Sequence, residues 1–251
     1  MKKIDMHAHL WLNSYEKSEK ALLSGIEDYE IEKFFISSLS VLVPSKEQVK
    51  DANKVVADCI KRNPGKIEGY VYISPEHDNA VDVLKKGIEE QGMIGAKFWV
   101  SRYCDDVCVN PIAEKLIEYN IPILIHSFED PNKNTDCCQG DAKNVRNLAL
   151  RYPELKIIMA HLGGNAYHGI PLIRDLKNVV VDISGEQVSW QAIKYTVDSI
   201  GEDRVMFGSD MPGASYLCPI GKIEDCGFSE KQKEKIYYNN VIKFFDRNYR
   251  V

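Results

Sequence analysis

The sequence has no long apolar run, no large excess of either charge, no linker and no paired cysteine motif, and each absence excludes a class of protein. A membrane-spanning helix needs about 18 or more nearly uninterrupted apolar residues, and no stretch provides them. A disordered chain would carry fewer apolar residues than 44% and a larger imbalance than −5. The same slight acidity leaves no basic footprint for nucleic acid. Seven cysteines, odd in number and scattered, lack the CxxC…CxxC spacing of a zinc finger, and reduced thiols are expected. The opening MKKIDMHAHL lacks the apolar stretch of about 7–15 residues found in a secretory signal, which predicts a cytoplasmic protein. No Gly/Ser-rich segment or change of composition divides the chain, so residues 1–251 are expected to form one domain.

What is present is a regular alternation. Short apolar runs rich in β-branched residues occur at 3–6, 34–39, 67–73, 93–99, 121–125, 157–160, 179–183 and 205–208. Several are continuous rather than alternating, the pattern of parallel strands covered on both faces. Eight strands in 251 residues leave about 31 residues per repeat, the size of one βα unit. Between them lie helix signals: capping boxes at Ser45–Gln48 and Ser229–Gln232, Asn110 followed by Pro111, and Asp141 ahead of Val145 and Leu148. The pattern predicts an α/β fold, a single closed (β/α)8 TIM barrel, with an open doubly wound sheet as the rival.

Polar residues then mark one end of that barrel. His7 and His9 close the first run, His126 the fifth, His161 the sixth and Asp210 the eighth. Strand C-termini form the rim where barrel active sites lie, so four imidazoles and a carboxylate are expected to converge there. Such a donor set suits a first-row divalent cation, with Zn²⁺ the natural occupant and Mn²⁺, Fe²⁺ or Co²⁺ accepting the same ligands. The other two histidines, His77 and His168, read as loop positions.

The segments DMHAHL, ILIHSFED, IIMAHLGG, VVVDISG and VMFGSDMPG, in this order, resemble the motifs of the amidohydrolase superfamily. The likeness is to its amidohydrolase-related branch, which includes aminocarboxymuconate semialdehyde decarboxylase-like enzymes. It runs from residue 4 to about residue 245, where residues 240–245 match the closing helix. The resemblance implies a metal-dependent hydrolase barrel with one divalent metal, usually zinc, held by His7, His9 and His126. Asp210 would be a ligand or close neighbour of the metal and the proton shuttle, and His161 would polarise substrate or water. Two features depart from the family. A frequent strand-4 Lys-Leu-His-Pro is replaced by GAKFWV at 95–100, and Lys97 stands near the lysine that other branches carboxylate to bridge two metals.

Substrate contacts are assigned more loosely. Trp11, Lys97, Trp99 and Arg102 are possible substrate-binding residues, the two indoles as an aromatic wall and Arg102 as a carboxylate fork. Gly163 and Gly164 would let backbone amides approach a ligand, and the polar segment 129–140, with the Cys137–Cys138 pair, has the length of a lid. The leading expectation is hydrolysis of an amide, lactam or lactone by metal-activated water, with non-oxidative decarboxylation as the alternative. Histidine at residue 7, where benzoate-type decarboxylases tend to carry glutamate, favours the aminomuconate type within that alternative. The expected partners are a small-molecule substrate and a second copy in a symmetric dimer, with neither nucleic acid nor membrane.

Overall fold

Eight parallel strands follow one another in space as they do in sequence in the computed structural model, which describes residues 1–129, 137–138, 140–185 and 189–245. They are β1 (Lys3–Trp11), β2 (Ile31–Leu39), β3 (Ile67–Tyr72), β4 (Gly95–Phe98), β5 (Ile123–Ile125), β6 (Ile157–Met159), β7 (Val179–Asp182) and β8 (Val205–Met206). Helices α1 (Tyr15–Tyr29), α2 (Lys46–Arg62), α3 (Ala80–Glu89), α4 (Asn110–Tyr119), α5 (Ala142–Arg151), α6 (Ala166–Ile173) and α7 (Trp190–Ile200) connect them, and α8 (Leu217–Glu224), α9 (Glu230–Glu234) and α10 (Asn240–Phe244) follow β8. Among the described residues no helix is long and apolar enough to cross a membrane, and all seven cysteines are free thiols.

The helix boundaries follow their caps. Ser45, Asp141 and Ser229 each accept from the backbone N–H three residues on, and residues 48, 144 and 232 return the bond to the cap's own N–H. Helix α4 begins at Asn110 itself, because a 3₁₀ turn at Val107–Val109 leads into it and moves the cap to Val109. His168 lies on α6 rather than in a loop, exposed and 3.1 Å from Glu129.

Apolar packing forms two layers. Ile4, Met6, Phe35, Tyr70, Leu124, Ile158, Val180 and Met206 fill the interior of the curled sheet, and Val241 and Phe245 pack against them from the C-terminal helix. Phe35 and Phe245 meet at 4.7 Å between ring centroids. The outward strand residues, among them Phe34, Val71, Ile123, Ile157 and Val181, pack against the helices. A fully buried side chain of this size contributes about 1.5–3 kcal/mol.

Helix α2 is also tied to β3 by a polar clamp. Buried Asn53 donates to Tyr72 O at 2.9 Å and accepts from Tyr72 N at 2.8 Å. Asn53→Ala leaves both backbone groups buried without partners, so a loss of about 2 kcal/mol is expected in urea unfolding. A change below about 0.5 kcal/mol would show that water replaces the amide.

One expectation needs correction. The sheet was expected to close as a cylinder, but among the described residues no strand ladder joins β8 to β1, and the eight strands form an open, half-barrel curl. Strand β8 is two residues long because the chain turns at Gly208-Ser209-Asp210, where Asp210 takes a left-handed φ of 61°. The seam is spanned by hydrogen bonds from outside the ladder: Met6 N to Phe207 O (3.1 Å), Asp210 N to His7 O (2.7 Å) and His9 N to Met211 O (2.7 Å).

Candidate metal centre

Strand β1 does not stop before its histidines but runs through them to Trp11, and an irregularity in it decides where they point. Asp5 pairs with Phe34 and Ala8 with Ile36, so three steps on β1 oppose two on β2. This bulge reverses the alternation. Below it Ile4 and Met6 face the interior; above it Ala8 and Leu10 join the outer layer, which turns His7 and His9 inward. A regular strand would have buried Ala8 and Leu10 in the site and sent both imidazoles outward. Asp5, fully buried, holds the bulge by accepting from His7 N (3.2 Å), Ser209 N (3.0 Å) and Ser209 Oγ (2.5 Å). Burial pushes its carboxyl up to about 7 against these bonds.

The expected rim residues converge. His7 Nε2 and His9 Nε2 are 3.1 Å apart, and Asp210 Oδ1 lies 3.0 Å from the second and 3.6 Å from the first. Ligand atoms of His7, His161 and Asp210 all fall within 4.8 Å of one another. His126, half-buried past β5, places Nδ1 3.1 Å from His161 Nε2. Lys97, fully buried on β4, reaches His7 Nε2 at 3.0 Å. Asp182 Oδ2 takes the opposite edge of the same ring, 2.9 Å from His7 Nδ1.

His161, Leu162 and Asp210 are the left-handed non-glycine residues of the site, at φ of 58°, 53° and 61°. Each costs about 1–2 kcal/mol of backbone energy. The conformations are held by specific bonds, His161 N to Asp182 Oδ1 (3.2 Å), Gly164 N to His161 O (2.9 Å) and Asp210 N to His7 O (2.7 Å).

Burial keeps all four imidazoles neutral. It lowers His7, His9 and His126, the last well below its ordinary value, and brings His161 down to about 4. Burial also pushes Lys97 down to about 8, while Asp210 and Asp182 pull it back up. The two acids behave in the opposite way. Burial would raise them, but the bond to His9 and the facing His7 ring hold Asp210 well below the usual carboxylate range, and His7, His161 and Ser184 do the same for Asp182.

Two carboxylates and one ammonium among neutral rings leave an excess negative charge. Two ring nitrogens facing each other at 3.1 Å also repel unless a proton or cation lies between them. Imidazole nitrogens at about 2.1 Å from a cation, at right angles, are about 3.0 Å apart. The donor set therefore fits a divalent cation.

The substrate candidates divide. Trp11 and Trp99 stand beside the cluster, 6.1 Å apart between centroids, with Trp11 6.0 Å from the His9 ring. They pack on Leu39, Val49, Ala52 and Tyr72. Arg102 is exposed, and among the described residues no hydrogen bond or ion pair joins it to the cluster. Gly164 makes a close approach to its own chain, not to a ligand: a Cβ there would sit 2.3 Å from Glu129 N. The expected lid at 129–140 falls mostly at 130–136 and 139, outside the described residues. Sequence reasoning overlooked Asp5, Ser184 and Ser37, whose Oγ lies 2.9 Å from His9 Nδ1, and did not pair Asp182 with His7. The available signal was a single acid inside an otherwise apolar strand, in KIDMHAH and VVVDISG, since a buried acid needs donors around it.

Known proteins share this frame. The amidohydrolase family pattern matches residues 4–247. A 2-amino-3-carboxymuconate-6-semialdehyde decarboxylase of Dictyostelium discoideum is 24% identical over 76% of this chain, and the match spans 64% of that enzyme's length. A gamma-resorcylate decarboxylase of Polaromonas sp. is 21% identical over 81% of this chain and 78% of its own. In fold, a dihydroxybenzoic acid decarboxylase of Polaromonas sp., solved with manganese and the inhibitor 2-nitroresorcinol, superposes with a TM-score of 0.80 at 18% identity, covering 99% of this chain and 98% of that one. These relatives overturn the leading expectation of a hydrolase: those matched in sequence are decarboxylases. The motifs misled because histidines and an aspartate around a cation serve C–N, C–O and C–C cleavage alike, so they specify the centre and not the bond broken. Eight parallel strands, a rim of converging imidazoles and the match from residue 4 to 247 place this chain in the amidohydrolase family.

Proposed function

We propose that the chain is a metal-dependent decarboxylase of a small, planar carboxylated substrate. The observation that carries this reading is the buried Lys97 ammonium inside the His7–His9–Asp210 cluster, 3.0 Å from His7 Nε2, in a chain whose relatives release CO₂. The bonds across the β8–β1 seam support a complete (β/α)8 cylinder with this cluster at its closure.

His7, His9 and Asp210 would hold one divalent cation, with His126 as a further ligand and His161 beside it. Mn²⁺ or Zn²⁺ suits these donors. When bound, the cation lowers the energy of negative charge on substrate oxygens. Lys97 binds the substrate carboxylate, and Trp11 and Trp99 form the wall against which a flat substrate lies. Asp210, with 27% of its side chain exposed, is the acid open to solvent. Ionised at rest, it receives a proton from water or a substrate hydroxyl after binding and delivers it to the carbon bearing the carboxylate. The C–COO⁻ bond then breaks, its electron pair refills the substrate π system, and CO₂ leaves. One proton is consumed for each CO₂ released.

The reading is tested by CO₂ release from a panel of carboxylated aromatics and aminocarboxymuconate-type acids, with lactones and lactams scored for ring opening. Release of CO₂ from at least one acid, dependent on added Mn²⁺ or Zn²⁺, is the expected result; ring opening alone would overturn it. Lys97→Met is expected to raise KM about tenfold or more, the equivalent of a charge-assisted hydrogen bond. Metal content should stay near one equivalent in both proteins. Two equivalents in the wild type, falling to one in the variant, would mean that Lys97 bridges two cations instead.

A further inference from the structure

Ser184, just past β7, touches three groups of the site at once. Its Oγ lies 3.1 Å from His7 Nδ1 and 2.9 Å from His161 Nδ1, and makes a short hydrogen bond to Asp182 Oδ1. The buried carboxylate sets the direction of these bonds. Asp182 Oδ1 already accepts the backbone N–H groups of His161 and Ser184, at 3.2 and 2.9 Å. A carboxylate only accepts, so the Ser184 hydroxyl donates to Oδ1, and His7 Nδ1 carries the proton shared with Oδ2, 2.9 Å away. With its single proton committed, Ser184 Oγ offers lone pairs alone. The His161 nitrogen facing it is then an N–H as well.

Both rings are therefore protonated at Nδ1 and bare at Nε2. His7 Nε2 faces His9, Lys97 and Asp210. His161 Nε2 faces His126 Nδ1 at 3.1 Å, which must supply the hydrogen and so leaves His126 Nε2 bare in turn. A neutral imidazole has one N–H, and the hydrogen bond made by one nitrogen decides what the other presents.

We propose that Ser184, held by Asp182, is the positioning residue that sets the tautomer of His161 and, through His161, that of His126, while Asp182 itself sets that of His7. One carboxylate and one hydroxyl at the end of β7 thus determine which nitrogens three rings from different strands offer to a cation or a substrate. Its value for a cation rests on the metal-site reading above, but the tautomers exist in the metal-free protein and are measured there.

The experiment is side-chain ¹⁵N NMR of the histidines in metal-free protein, with Mn²⁺ affinity measured alongside. In the wild type, His7 and His161 should show protonated Nδ1 and bare Nε2. Ser184→Ala should move His161 to a mixture of tautomers and weaken Mn²⁺ binding about 10–100-fold, and Ser184→Thr should restore both. A protonated Nε2 on either ring of the wild type would overturn the proposal, as would Ser184→Ala with wild-type tautomers and affinity. If Ser184→Ala does not fold, the wild-type pattern decides. Absence of CO₂ release would count against the decarboxylase reading and leave this result untouched.

Discussion

Asp210→Asn is expected to lower kcat for CO₂ release by at least about 10²-fold while most of the metal stays bound. Positioned acid–base groups contribute about 10²–10⁴-fold. The amide keeps an oxygen where Oδ1 now stands, 3.0 Å from His9 Nε2 and 3.6 Å from His7 Nε2, but it cannot carry the proton that carbon must receive. His7→Ala should behave differently. It removes the nitrogen at the centre of the cluster and frees both Asp182 and Lys97 from their shared ring, so metal and activity should be lost together. Metal analysis beside kcat separates the two. Wild-type turnover in both variants would end the mechanism proposed here, and loss of metal in Asp210→Asn would mean that the cation needs the charge of that carboxylate and not only its oxygen.

Gly164→Ala is expected to cost about 3–5 kcal/mol of stability, although it adds only a methyl group. The residue has a φ of +79°, which an L side chain adopts at about 1–2 kcal/mol. Its Cβ would lie 2.3 Å from Glu129 N and 2.7 Å from Phe128 Cα. Both are backbone atoms past β5 and cannot rotate away as a side-chain tip would, so an overpacking penalty of about 1–3 kcal/mol or more is added. For a chain of this size, about 3 kcal/mol corresponds to a melting point lower by about 6–12 °C. Calorimetry reads this directly. A shift under about 3 °C would mean that the 128–129 backbone yields. Because Phe128 and Glu129 follow His126, activity should fall further than the population of unfolded protein explains.

The decarboxylase reading and the hydrolase expectation differ in two physical respects. Both need a cation at the rim, and the motifs announce one in either case. What separates them is whether a group stands ready to protonate carbon and whether a positive charge awaits a carboxylate. Lys97 meets the second requirement because burial on β4 brings its ammonium to His7. Its neighbours in sequence, Ala96 and Phe98, say nothing of this, since they face the helices.

The order of the strands, the two capping boxes at Ser45 and Ser229 and the residue types at the rim were legible because each depends on neighbours a few positions away. Alternating burial, an N-cap and a run of β-branched residues are local properties. The bulge at Asp5–Ala8 was not legible, because it exists only in the pairing of β1 with β2, and it alone turns His7 and His9 inward. Nor was the bond between His7 and Asp182, which joins residues 175 positions apart. Composition and spacing by themselves determined that this chain builds a parallel α/β sheet with imidazoles and an acid at its rim. Tertiary structure alone decided which nitrogen each ring presents, where the Lys97 charge sits and how the β8–β1 seam is joined, because those depend on hydrogen-bond directions between segments that meet only once the sheet has curled.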